Sequence, residues 1–237
     1  MIKIVFSILT LYVFSTFTLA DENLENEAVK LLQAYLKVDT ISPPGNESRA
    51  VDFLAEIFDQ EGIQYDSAES APGRGNIWAR IKGGDKPALI LLHHSDVVPA
   101  NKEYWDFDPL SGAIVDGYIQ GRGALDMKGL GISHLANFLK FHRSNKPLNR
   151  DIIYIAAADE ESGGEYGMGW LIENRPEAFE GAELLLNEGG SGFRSEDGIG
   201  FSIEVTQKIP VWLRLNSVDQ PVSYTHLRAH ETRGNLV

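Results

Sequence analysis

Helical and strand-like hydrophobic patterns alternate along this chain, and that alternation constrains its fold more than any other feature. Apolar residues recur every three or four positions in three segments, which predicts helices over residues 25–38, 47–62 and 126–144. Short apolar runs bounded by turn residues predict strands over residues 75–83, 88–94, 151–159 and 182–190. Three of these runs are apolar on both faces, as buried parallel strands are. Strand, helix and strand in this order predict an α/β protein with a mostly parallel central sheet.

Composition excludes several classes of protein. A hydrophobic fraction of 43% and a charged fraction of 23% are typical of a globular protein with a substantial core. The formal net charge is −13, and no stripe of Lys or Arg could follow a phosphate backbone, so we expect no nucleic-acid partner. The chain has no cysteine, so any metal site must consist of histidines and carboxylates.

The first 20 residues have the pattern of a secretory signal peptide. A lysine near the start precedes an apolar stretch and a small-residue site that ends at Ala20, and an acidic segment follows. We expect cleavage after Ala20, export to the periplasm or the extracellular space, and no stable membrane span after processing. The alternative is an uncleaved membrane anchor, although the apolar stretch is short beside the roughly 20 residues of a spanning helix.

Polar residues gather where the predicted strands end. Ligands of open α/β sheets bind at the carboxyl ends of the strands, so these side chains should meet at one edge. A further carboxylate lies in a glycine-rich turn just before the third predicted helix. The residues at this edge would be His94, Ser95, Asp96, Asp126, Asp159, Glu160, Glu161 and Glu188.

This set of side chains suits a pair of zinc ions. Such a pair needs neutral imidazole, carboxylates that balance the charge, and one carboxylate that bridges the metals. His94 and Asp96 lie two residues apart in an extended segment and point to the same side, so Asp96 can orient the ring of His94. Glu160 and Glu161 would point opposite ways in an extended backbone, so that one binds metal while the other faces the substrate as a general base.

Four motifs resemble one known family. "HSDVVP", "GRGALDMKG", "ADEESGG" and "NEGG" are similar, in order and spacing, to the signature motifs of the dinuclear zinc peptidases that include aminoacylase, bacterial carboxypeptidases and succinyl-diaminopimelate desuccinylase. The resemblance extends from Glu25 to about Pro221. It implies an α/β/α sandwich catalytic domain over residues 21–207. It also implies zinc-dependent hydrolysis of an amide bond in a small peptide or an N-acyl amino acid.

The resemblance implies a role for each site residue. Asp126 would bridge two zinc ions, and a cis peptide bond would join it to Met127. Glu160 would be the general acid/base, and Asp96 would hold His94 in place. The metal ligands that the resemblance implies are His94, Asp126, Glu161 and Glu188.

Each candidate also has a structural interpretation. Asp126 alone would be a turn residue, and Glu160 with Glu161 could be a solvated pair at the start of a helix. "GRGALDMKG" lacks the G-K-[ST] ending of a phosphate-binding loop. The structural interpretation is favoured for three other histidines, which are His93, His134 and His142.

The C-terminal part departs from the family pattern. Residues 208–221 resemble the start of an inserted lid and dimerisation domain, through which a homodimer would form. Residues 222–237 look like a non-native, adapter-like tail, so we assign no zinc site to His226 and His230 within it. We therefore expect a truncated chain that lacks the histidine of the second zinc, holds at most one zinc tightly and has no significant amidase activity. The alternatives are a non-catalytic zinc- or peptide-binding protein on the same scaffold, or an inactive fragment.

Overall fold

The computed structural model describes residues 24–144, 146–196 and 198–204. The helices are α1 (24–36), α2 (Ser48–Glu61), α3 (Lys128–Arg143) and α4 (Trp170–Asn174). The strands are β1 (Tyr65–Glu69), β2 (Gly75–Ile81), β3 (Lys86–His94), β4 (Ala113–Val115), β5 (Tyr118–Gln120), β6 (Arg150–Ala157), β7 (Ala182–Leu186), β8 (Ser191–Ser195) and β9 (Gly198–Ser202). The chain divides into two compact units, of which one ends at Glu188 and the other begins at Gly189.

A five-stranded sheet with the order β1-β2-β6-β3-β7 forms the centre of the first unit. β3 pairs in parallel with both β6 and β7, whereas β2 is antiparallel to β6 and to β1. All strands of this sheet except β2 therefore run in one direction, which confirms the predicted α/β fold with a mostly parallel central sheet. β4 with β5, and β8 with β9, form two separate hairpins that we did not predict.

Helices cover one face of the sheet. Alternate residues of β6 point to this face, where the Tyr154 ring lies 5.8 Å from that of Phe58 in α2 and 5.7 Å from that of Phe138 in α3. All three side chains are fully buried. Burying a side chain of this kind stabilises a fold by about 1.5 to 3 kcal/mol. Gly62 caps the C-terminal end of α2, and its φ of 67° is the left-handed conformation that glycine adopts readily.

A thinner layer covers the opposite face. Ile153 and Ile155 of β6 pack there against Leu171 of α4 and against Ala178, which lies in a short turn that follows α4. Because β6 alternates its side chains between two covered faces, all of its residues from Ile152 to Ala157 are buried. The sheet with its two helical layers is the predicted α/β/α arrangement.

β7 is more exposed than its apolar run indicates. β7 is an edge strand of the sheet among the described residues, and three of its side chains are about half exposed. These are Leu184, Leu185 and Leu186. An apolar run indicates a buried strand only when neighbouring elements cover it, and the pattern of the run does not report those neighbours.

Three predictions lie outside the described residues. They are the signal peptide over residues 1–20, the lid segment over residues 208–221 and the tail over residues 222–237. Among the described residues, none of the helices combines the length and the apolar character that crossing a bilayer requires.

Candidate metal centre

The ends of the parallel strands bring one histidine and several carboxylates together. His94 is the last residue of β3 and is only 3% exposed. Its Nε2 lies 3.1 Å from Asp126 Oδ1, 3.7 Å from Glu188 Oε2 and 3.8 Å from Glu160 Oε2. Asp126 lies in the turn before α3, and Glu188 lies two residues beyond β7. The structure thus assembles the predicted edge from segments that are far apart in sequence.

Two groups of three side chains are close enough to hold a metal ion. His94, Asp126 and Glu161 form one group, and His94, Glu160 and Glu188 form the other. Asp126 thus lies with Glu161, and Glu188 lies with Glu160. Both groups share the same imidazole, and a single Nε2 atom can bind only one ion. A second ion among the described residues would therefore depend on carboxylates alone.

The backbone of Asp96 sets the orientation of the His94 ring. His94 Nδ1 lies 2.9 Å from the carbonyl oxygen of Asp96 and 3.4 Å from its Oδ1. We expected the carboxylate to be the partner, but the carbonyl is closer. A carbonyl can only accept, so Nδ1 carries the hydrogen and donates it. Nε2 is therefore the nitrogen that faces the carboxylates, and it can bind a cation once it has released its proton, so the donor set fits a metal ion.

The Asp96 carboxylate has a role that the sequence did not reveal. Its Oδ1 accepts the backbone N–H of Glu160 at 3.1 Å, and its Oδ2 accepts that of Glu161 at 3.1 Å. Asp96 is fully buried. One side chain therefore holds the backbone of both glutamates while its own carbonyl holds His94.

Glu160 and Glu161 lie in a tight turn, so the extended backbone that we assumed for them is wrong. The turn spans Glu160–Ser162 and follows Asp159, whose φ of 67° is left-handed. The two glutamates still face different groups, because Glu161 joins the group of Asp126 and Glu160 joins that of Glu188.

The peptide bond between Asp126 and Met127 is cis, which confirms the prediction made for this bond.

Electrostatics at this edge favour the protonated, positively charged form of His94. Burial lowers the pKa of His94, but hydrogen bonds with Asp96 and Glu188 outweigh burial and raise the pKa to about 11. The hydrogen bond from His94 lowers the pKa of Glu188. Burial raises the pKa of Glu160, and the neighbouring carboxylates raise it further while His94 opposes them.

The three histidines for which the structural interpretation is favoured are buried or hydrogen-bonded. The Tyr35 hydroxyl lies 3.1 Å from Nε2 of the fully buried His93. His134 is buried in α3, and His142 Nε2 lies 3.1 Å from the carbonyl oxygen of Glu61. The structural interpretation is confirmed for all three histidines.

A small cavity opens beside the cluster. It measures about 70 Å³, and both His94 and Glu160 line it, together with Asn187 and the apolar side chains of Leu92 and Met168. A larger cavity of about 700 Å³ lies elsewhere, between β1, β2 and the turn after α4. The cluster therefore has a small, mostly apolar recess at its side.

Fold and site together define a class of protein: an α/β/α domain with a histidine–carboxylate metal centre at the carboxyl edge of its sheet. Comparison with known proteins gives the family. The sequence profile of Peptidase family M20/M25/M40 matches residues 90–228, which is more than half of the chain. The chain belongs to this family.

Individual relatives agree with this assignment. Aminoacylase-1 of Sus scrofa is 34% identical over 206 residues, which are 83% of this chain and 48% of that protein. Succinyl-diaminopimelate desuccinylase of Methylobacterium radiotolerans is 31% identical over 159 residues, 65% of this chain and 40% of that protein. The solved structure of the metallo-carboxypeptidase Sso-CP2 from Sulfolobus solfataricus superposes with a TM-score of 0.58 at 25% identity, covering 73% of this chain and 39% of that one. The chain spans about half the length of the curated relatives it matches.

Proposed function

We propose that the complete protein hydrolyses an amide bond in a small peptide or an N-acyl amino acid, as an exopeptidase or an aminoacylase does, with zinc as its metal. The observation that carries the proposal is the cluster at the sheet edge, where one oriented imidazole faces the carboxylates of both metal-binding groups. Metal-dependent amide hydrolysis is what the family assignment implies, and the names of the relatives support these substrate classes.

The proposed ligands are His94, Asp126, Glu161 and Glu188. Imidazole and carboxylate oxygens, without thiolate, form a common ligand set of catalytic zinc sites. When bound, the metal would polarise the amide carbonyl and lower the pKa of water.

Glu160 is the proposed general acid/base. Its side chain is about half exposed, as contact with a substrate requires, and its carboxylate lies 3.8 Å from His94 Nε2. Glu160 accepts a proton from the attacking water as the new carbon–oxygen bond forms. It then delivers that proton to the amine nitrogen as the carbon–nitrogen bond breaks.

Three further parts of the proposal concern the chain as a whole. The first 20 residues direct export to the periplasm or the extracellular space, and Asp21 becomes the N-terminus. The complete protein forms a homodimer through a lid domain that begins near residue 208. The 237-residue chain by itself has no significant amidase activity. Intact-mass analysis of exported protein tests the first part, because retention of Met1 would contradict it.

The test of the function uses the complete protein, stripped of metal and then supplied with zinc. N-acetyl amino acids and dipeptides are offered separately, and release of the free amine is measured. We expect turnover only with metal. Glu160→Gln should retain zinc and lower turnover by at least about a hundredfold.

The outcomes of this test separate the candidate functions. Zinc binding without turnover of either substrate class would favour the non-catalytic binding protein. Near-normal turnover in Glu160→Gln would remove Glu160 from its proposed role.

A further inference from the structure

A network of buried charges lies behind the turn that carries Glu160 and Glu161. Its centre is Arg74, in the turn that joins β1 to β2, whose side chain is 12% exposed. Arg74 Nη1 donates to Glu47 Oε1 at 2.6 Å, and Arg74 Nη2 lies 3.3 Å from Asp159 Oδ1. The Glu47 side chain is fully buried and that of Asp159 is 3% exposed. One guanidinium therefore serves two carboxylates that have almost no access to water.

Asp159 connects this network to the site, because it immediately precedes Glu160. Its Oδ2 accepts the N–H of Tyr166 at 3.0 Å, and its carbonyl oxygen accepts the N–H of Gly164 at 2.6 Å. The left-handed backbone of Asp159 is uncommon for a residue other than glycine. The contacts of the Asp159 side chain therefore hold the chain in the conformation that starts the Glu160 turn.

The loop after α1 completes the network. Arg74 Nη1 also donates to Ser42 Oγ at 3.3 Å, and Ser42 Oγ lies 3.0 Å from Ser162 Oγ at the end of the turn. A Cβ atom at Gly45 would stand 2.2 Å from Arg74 Nη1, so only glycine leaves room for the guanidinium there. The Glu160 turn is thus held from behind at Asp159, which precedes it, and at Ser162, its last residue.

We propose that Arg74 is a positioning residue, which acts through Asp159 and Ser42 to hold the Glu160–Glu161 turn against the metal centre. Asp96 fixes the two backbone N–H groups of the turn from the sheet side, and Arg74 fixes the residue before them from the opposite side. A forked guanidinium suits this role because it bonds two acceptors in fixed directions, which an ammonium group does not. The consequence for catalysis rests on the proposed function, whereas the consequence for the turn does not.

The main test variant is Arg74→Met/Glu47→Gln, which removes the guanidinium without leaving Glu47 charged and buried. Its matched control is Arg80→Met/Asp151→Asn. Arg80 lies on β2 and pairs with Asp151 at 3.0 Å, also with limited exposure, and neither residue contacts the turn. The control therefore reports the effect of losing a comparable ion pair from the same part of the sheet.

Amide hydrogen exchange on the metal-free chain tests the positioning itself. We expect exchange over residues 159–166 to be at least about tenfold faster in the Arg74 variant, and unchanged there in the control, because local opening sets the rate. The exchange rate over the same residues in Arg74→Lys should lie between the rates of the Arg74 variant and the wild type. If the main variant fails to fold, Asp159→Asn decides, since an amide has one acceptor oxygen and cannot serve both Arg74 Nη2 and the N–H of Tyr166, while Arg74 stays paired with Glu47.

Metal affinity and kinetics test the consequence. Titration with Co²⁺, followed by its visible absorption, should show about 10- to 100-fold weaker binding in the Arg74 variant than in the control. In the complete protein kcat should fall by a similar factor while KM changes little.

Unchanged exchange over residues 159–166 in the folded variant would overturn the proposal, as would metal affinity equal to that of the control. If the wild-type protein binds metal and has no amidase activity, the proposed function fails. The exchange and Co²⁺ measurements still decide the role of Arg74 in that case.

Discussion

At the scale of single residues, Asp96 makes the contacts on which most of the site depends. Its carboxylate holds two backbone N–H groups that lie 64 and 65 residues further along the chain, and its carbonyl holds the His94 ring. Each oxygen of this fully buried carboxylate accepts one backbone N–H, as buried polar groups in folded proteins normally do. Asp96 therefore couples the histidine of β3 to the glutamates that follow β6.

Asp96→Asn should weaken metal binding by about 10- to 100-fold, because an amide NH₂ would replace one acceptor and face a backbone N–H. Titration of the metal-free chain with Co²⁺ or zinc checks this outcome. Asp151→Asn is the control, since Asp151 also accepts a backbone N–H, that of Gly83 at 2.7 Å, but lies away from the cluster. Equal affinities in the two variants would contradict the role that we assign to Asp96.

At the scale of secondary-structure elements, Arg143 ties three helices together. It ends α3, and its guanidinium bonds Glu27 of α1 at 2.7 and 2.8 Å and Glu61 of α2 at 2.9 and 2.5 Å. Hydrogen bonds from Arg143 lower the pKa of both glutamates below the ordinary value of 4.5. The three side chains are about a quarter to a third exposed, so solvent screens part of this attraction.

Arg143→Gln should lower the free energy of unfolding by about 1 kcal/mol near neutral pH. Because the folded-state pKa values are lowered, the contribution of the pairs is complete above pH 4.5 and is lost as the pH falls through the lowered values. Urea unfolding of wild type and variant at several pH values checks this, and the two curves should converge in acid. Arg49→Gln is the control, because Arg49 forms a single exposed pair with Asp39 at 3.6 Å. A difference that persists unchanged in acid would exclude the ion pairs as its cause.

At the scale of the whole molecule, the metal centre should link stability to metal binding. The shared imidazole of His94 can serve one ion, so we expect at most one tightly held zinc per 237-residue chain. Zinc at about a hundred times its dissociation constant should stabilise the chain by about 2.7 kcal/mol. Equilibrium dialysis with metal analysis gives the stoichiometry, and thermal unfolding with and without chelator gives the stabilisation.

His94→Gln supplies the control for this prediction. It should lose tight binding and most of the zinc-dependent rise in melting temperature, because no other imidazole among the described residues belongs to either metal-binding group. Two tightly bound zinc ions in the wild-type chain would contradict the prediction.

Much of the fold could be predicted from the sequence because it depends on local periodicity. The helices α2 and α3 and the strands β3 and β6 lie close to the predicted segments. The direction of β2, the exposure of β7 and the two hairpins were not predicted. They depend on which elements pack beside each other, and a pattern within one segment does not contain that information.

The site, like the fold, has one part that the sequence predicts and another that only the tertiary structure decides. Residue type and position at a strand end were enough to predict that His94 and Glu188 meet, because parallel strands bring their carboxyl ends to one edge. Only the tertiary structure decided that the Asp96 carboxylate holds the Glu160 turn and that Arg74 lies behind it. Those contacts join segments 64 and 85 residues apart. Their formation depends on how distant backbone segments approach after folding, which no spacing along the chain specifies.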